Sequence, residues 1–89
     1  MKAIVTVTGK DRIGILAEVT KFISEMKCNI EDISQTIMQG TFVMIMMVST
    51  EASPYSIKEI QAKADEIGKK SNLTIAIQRN EIFDEMHGV

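Results

Sequence analysis

The chain has 89 residues, 45% hydrophobic and 25% charged, the balance of one small soluble domain rather than a disordered segment. Lys plus Arg number 10 against 12 for Asp plus Glu, a formal net charge of −2, which speaks against a general nucleic-acid binder, since that needs a basic face. The single cysteine, Cys28, cannot close an internal disulfide, so a reducing cytoplasmic setting is expected.

The opening Met1-Lys2-Ala3-Ile4 reaches polar Thr6 and Thr8 at once, unlike the apolar stretch of a signal peptide. The longest apolar run, Phe42 to Val48, is far too short to span a bilayer, and no membrane partner is expected.

Residues 2–8 alternate, with Ala3, Val5 and Val7 on one face and Ile4, Thr6 and Thr8 on the other, which predicts a strand. A loop, Gly9 to Gly14, follows. The next helix is expected from about Arg12 to Lys27, with Asp11 as its N-cap. Ile15, Leu16, Val19, Phe22, Ile23 and Met26 fall in one arc of roughly 120°, the stripe of a core-facing helix.

Asn29 to Met38 reads as a second strand and Thr41 to Thr50 as a third, with Gln39-Gly40 as the tight turn of a hairpin. The third strand is apolar on both faces, so it is expected to be central and covered on both sides. Ser53-Pro54 then breaks the chain. Ser56 and Glu59 have capping-box spacing before a second helix carrying Ile57, Ile60, Ala64 and Ile67 on one stripe. Gly68 weakens its last turn, Asn72 ends it, and Leu73 to Arg79 forms a fourth strand. Residues 80–89 make a tail in which one short helical turn would place Ile82, Phe83 and Met86 against a surface.

The order β-α-β-β-α-β allows two right-handed crossovers to share one sheet. The expected class is therefore α+β, a ferredoxin-like sandwich with a four-stranded antiparallel sheet and two helices on one face. Residues 1–89 form a single domain.

Catalytic signals are sparse. The one histidine, His87, sits in the acidic tail, and Cys28 has no histidine near it in sequence. There is no phosphate loop and no Cys-x-x-Cys, so no metal site, cofactor or catalytic residue is expected. RNA-binding sheets stack bases on strand aromatics, and here the strands offer only Phe42. An acylphosphatase-like enzyme would need an Arg-bearing loop with an Asn, of which Arg12 and Asn29 are a loose echo. Of the seven methionines, Met26 and Met47 are expected in the core. Core filling is one reading of Met44, Met46 and Met38; the other places them beside Thr6 on the helix-free face, as an adaptable partner surface.

The loop carries the sharpest signal. Two glycines bracket Lys10, Asp11 and Arg12 where the chain reverses, and the helix start leaves amides that an acceptor can occupy. The bland reading is a turn with its charges in solvent. The functional one adds a ligand held by loop amides and by Asn29 of a neighbouring subunit, since Asn29 follows the far end of the helix.

Asp11-Arg12-Ile13-Gly14-Ile15-Leu16 followed by Asn29-Ile30 resembles the ACT domain, a regulatory module for amino acids and other small molecules. The resemblance spans essentially the whole chain, and within the family it is similar to small stand-alone proteins related to the glycine-cleavage-system repressor. The ending Ile82-Phe83-Asp84-Glu85-Met86-His87 is similar to that subgroup too. It implies that Asp11 and Asn29 hold an amino acid across a subunit interface while Gly14 admits its close approach. The candidate site is thus Gly9, Asp11, Arg12, Ile13, Gly14, Asn29 and Ile30. Asp11 stands where the best-known amino-acid sensors carry Asn, so this position favours a ligand ammonium or hydroxyl. The expectation is a homo-oligomer, a dimer first, that binds an amino acid and acts allosterically on a partner protein. The rivals are an interaction module without ligand and the acylphosphatase-like enzyme.

Overall fold

The computed structural model describes residues 1–80, in the order β1 (Lys2–Lys10), α1 (Ile15–Glu25), β2 (Asn29–Met38), β3 (Thr41–Ser49), α2 (Ile57–Ser71) and β4 (Leu73–Arg79). The turn expected around Ile82, Phe83 and Met86 lies outside the described residues. The sheet order is β2-β3-β1-β4 with antiparallel neighbours throughout, and both helices cover one face, as in the ferredoxin-like fold.

Local chemistry accounts for the boundaries. The Gln39-Gly40 turn has φ of 51° and 80°, the doubly left-handed geometry that matches strand twist in a two-residue hairpin. Ser56 and Glu59 cap α2 reciprocally, each side chain meeting the other's backbone N–H at 3.1 Å. Asn72, at φ 56°, ends α2 in the left-handed conformation.

The core lies between sheet and helices. Val5 and Val7 from β1, Ile75 and Ile77 from β4, Phe22 and Ile23 from α1, and Ile60 and Ala64 from α2 are all buried in it. Ile57 and Ile67 pack against its rim.

Five expectations are corrected. Helix α1 begins at Ile15, not Arg12, and ends at Glu25. Its N-cap is Gly14, at φ 94°, and no side chain caps it, so Asp11 is not the cap. Leu16 is 40% exposed and lies at the edge of the apolar arc, not in the core. The methionines of β3 face the reverse of the partner-surface reading. Val5 opposes Met46 and Val7 opposes Met44, and directly opposed residues share a sheet face. Met44 and Met46 are therefore fully buried, while Ile45 and Met47 turn to the helix-free face. That face leaves Ile45 half exposed and Met38 largely so; β3 is interior to the sheet but covered on one side only.

Candidate ligand-binding site

Strand β1 delivers the loop to one end of the sheet. Gly9 is still paired there, opposite Phe42 and Leu73. A Cβ on it would lie 2.6 Å from Leu73 Cδ2 and 3.3 Å from the Asn72 carbonyl oxygen. A side chain here would press on the start of β4, where the Leu73 side chain can turn aside but the Asn72 carbonyl leaves little room.

Asp11 is exposed, and its backbone N–H donates to the Gly40 carbonyl at 2.9 Å. The loop is thereby tied to the β2–β3 turn. The Arg12 guanidinium donates to Glu18 Oε2 at 2.6 Å, to the Ser71 carbonyl at 3.1 Å and to the Ile13 carbonyl at 3.3 Å. The Ser71 hydroxyl completes the cluster by donating to Glu18 Oε1 at 2.8 Å. These bonds, Arg12 first and Ser71 second, hold the Glu18 carboxyl below the usual carboxylate range. A cation on the last carbonyls of α2 also suits the negative end of its dipole.

Ile13 is 99% exposed at the tip of the loop. Gly14 follows in the left-handed region, and among the described residues nothing beyond its chain neighbours lies within 4 Å of where its Cβ would be. The amides of a helix's first turn have no intrahelical acceptor, and among the described residues no side chain caps α1 in their place. A polar groove of about 350 Å³ runs beside the loop, lined by Lys10, Asp11, Arg12, Ser71 and Asn72.

Asn29 and Ile30 stand elsewhere. Asn29 pairs with Ser49, which in turn pairs with Lys2, so it is at the opposite end of the sheet from Lys10. Eight residue steps of β1 separate the two ends, roughly 26 Å. A bulge at Glu31, whose carboxylate meets Lys2 Nζ, interrupts the register. It sends Ile30 to the core face opposite Val48 and Asn29 to the helix-free face opposite Ser49. Within one chain, then, Gly9, Asp11, Arg12, Ile13 and Gly14 come together, and Asn29 and Ile30 do not join them. Arg12 and Asn29 do not meet as the acylphosphatase-like arrangement would require.

Sequence reasoning missed Glu18, Ser71 and Gly40. Glu18 left a faint signal as the one acid in the first turn of α1. Ser71 and Gly40 left none, because they reach the loop only through the fold. Cys28, which lies against the core rim, has its thiol pushed up by burial, opposed in part by the Ser53 hydroxyl. Among the described residues, no group of three or more His, Cys, Asp or Glu could hold a metal ion. No helix among them is long and apolar enough to cross a membrane.

The sequence profile of the ACT domain matches residues 2–78. The chain belongs to the ACT domain family. ACT domains are, in general, regulatory modules that bind small molecules. This ACT domain is 49% identical to a UPF0237 protein of Clostridium acetobutylicum, over all of both chains. Among solved structures, an ACT domain protein from Streptococcus pneumoniae matches with a TM-score of 0.84 and 40% identity, covering 93% of each chain. A protein assigned as a glycine cleavage system transcriptional repressor matches with a TM-score of 0.78 and 26% identity. That match covers 90% of this ACT domain and 46% of the larger protein.

Proposed function

We propose that this ACT domain binds a small amino acid between two copies of the chain and passes its occupancy to a partner protein. The observation that carries the reading is the uncapped start of α1. Gly14 leaves open space there, and the first-turn amides, at the positive end of the helix dipole, suit a ligand carboxylate. Asp11, exposed three residues earlier, suits the ammonium group. Asn29 enters from a second copy. Strand β2 is an edge strand, and an antiparallel β2–β2 pairing centred near Ser34 would set Asn29 of one copy against the Gln39-Gly40 turn of the other. The Asp11–Gly40 hydrogen bond joins that turn to the loop. Gly9, Arg12, Ile13 and Ile30 shape and flank the site.

The test is a thermal-shift panel of the twenty amino acids, since a ligand that prefers the native state raises apparent stability, followed by calorimetry. Gly14→Val is expected to abolish binding, and Asn29→Ala to weaken it by about 1–3 kcal/mol. Both variants binding as tightly as wild type would place the site elsewhere.

A second reading, an interaction module without ligand, draws on Ile13. So exposed an isoleucine suits a protein contact. Wild type that is silent across the panel, together with an Ile13→Ser variant of altered assembly, would favour it.

A further inference from the structure

We infer that Arg12 is a positioning residue: its guanidinium braces the β1–α1 loop against both helices and does not serve as the ligand's counter-ion. The inference rests on the amino-acid-binding reading of the loop. A loop arginine beside an amino-acid site is the obvious partner for a carboxylate, and the geometry argues otherwise. The Arg12 fork already spans Glu18 in the first turn of α1 and the last carbonyl of α2. Ser71 and Glu18 close the ring with their own hydrogen bond. The start of α1 and the end of α2, the latter 59 residues from Arg12, thus meet on one side chain, which sits immediately before Ile13 and the left-handed Gly14.

The consequence is chemical. With Arg12 neutralised by Glu18, Asp11 and Lys10 are the loop's remaining charges, and both are exposed. A ligand carboxylate that took the Nη1 side of Arg12 would displace Glu18, trading one charge-assisted pair for another. Recognition by the α1 amides requires no such exchange. It requires only that the loop hold its shape, and that is what the brace supplies. A lysine could reach Glu18 or the Ser71 carbonyl, but it lacks the planar fork that holds both.

The experiment compares Arg12→Met, Arg12→Lys, Glu18→Ala and the Arg12→Met/Glu18→Ala double variant. Amide hydrogen exchange is measured without ligand at residues 11 and 18, whose N–H groups donate to the Gly40 and Gly14 carbonyls, and calorimetry is run with each amino acid that scores on wild type. Arg12→Met and Glu18→Ala are each expected to speed this exchange about tenfold, because local opening of the loop becomes easier. The double variant should be no faster than either single one, because both remove the same ring. Amino-acid affinity should fall by a similar factor in both single variants, and Arg12→Lys should recover only part of it. If Arg12→Met loses binding while Glu18→Ala keeps wild-type binding and exchange, Arg12 is a direct ligand contact and the inference is overturned, with the amino-acid reading intact. Unchanged exchange in both variants overturns it as well. If no amino acid binds wild type, the amino-acid reading falls, and the exchange data still decide whether Arg12 is the brace.

Discussion

The backbone N–H of Asp11 donates to the carbonyl of Gly40 at 2.9 Å, so the β1–α1 loop and the β2–β3 turn form one structural unit at one end of the sheet. Gly40 holds φ at 80° to make that turn. An alanine there would pay the left-handed penalty of about 1–2 kcal/mol. Gly40→Ala should therefore lower the thermal midpoint and speed exchange of the Asp11 amide. Gly40→Asn should do less of both, since asparagine tolerates this region. Equal effects from the two would mean that backbone conformation is not what Gly40 contributes.

Gly68 offers a different test. A Cβ at this position would lie 2.5 Å from the Leu73 carbonyl oxygen. That atom belongs to the backbone of β4 and cannot swing aside as a side chain can. Helix α2 approaches the sheet this closely only because residue 68 has no side chain. Gly68→Ala raises helix propensity, which alone would stabilise by about 1 kcal/mol. Overpacking should reverse the sign and leave a net loss of about 1–3 kcal/mol. Chemical denaturation measures it, and a stabilised variant would refute the close approach.

These two glycines mark what the sequence disclosed and what it concealed. Gly40 was legible because a turn residue between two alternating runs has local chemistry. Gly68 read only as a weak spot in a helix, because its reason is a strand carbonyl that arrives through folding. The element order, both strands of the hairpin and the Ser56/Glu59 box were legible for the same local reason. The facing of β3 was not. A strand apolar on both sides leaves its parity open until pairing with Val5 and Val7 sets it. Likewise the bulge at Glu31, which turns Asn29 and Ile30 over, has no glycine or proline to announce it. In the β1–α1 loop, Gly14 and Asp11 were singled out by motif. The Arg12–Glu18–Ser71 ring was invisible because Arg12 and Ser71 stand 59 residues apart.

That ring should also give the protein a specific acid response. Glu18 is held below its ordinary value of 4.5, first by Arg12 and then by Ser71. The folded state therefore binds this proton less readily than the unfolded state does. Its contribution to stability is complete above the unfolded value and is lost as pH falls through the lower folded one. Glu18→Gln lacks the contribution at every pH. The difference in thermal midpoint between wild type and Glu18→Gln should be largest near neutrality and shrink as pH falls below 4.5. Lys21, Glu25, Lys63, Glu66 and Lys70 line the same groove as Glu18. Both proteins carry them, so their own titration largely cancels in the difference. A gap that stays constant down to strong acid would show that Glu18 is not stabilised as a carboxylate.

The remaining prediction concerns assembly. Every residue of β2 except Ile30 is exposed, and the strand lies at the sheet edge. Soluble proteins usually guard such an edge with lysine, proline or a cover. Here the strand carries neither residue and has only Glu31 and Asp32 as charges. Ile33 and Ile37 add exposed apolar surface on its helix side, and Met38 adds more on the other face. An edge of this kind suits a second copy, and the same pairing would bring Asn29 to the neighbouring loop. Wild type should sediment as a dimer at micromolar concentration. The Ile33→Lys/Gln35→Lys variant should sediment as a monomer of unchanged fold by circular dichroism, because residues 33 and 35 oppose each other in a pairing centred near Ser34 and like charges there oppose it. The monomeric variant should also lose amino-acid binding, although neither substitution touches the loop. A wild type that sediments only as monomer would remove both the edge pairing and the shared site. A dimer that survives the two lysines would move the interface off β2 and leave Asn29 without a route to the loop.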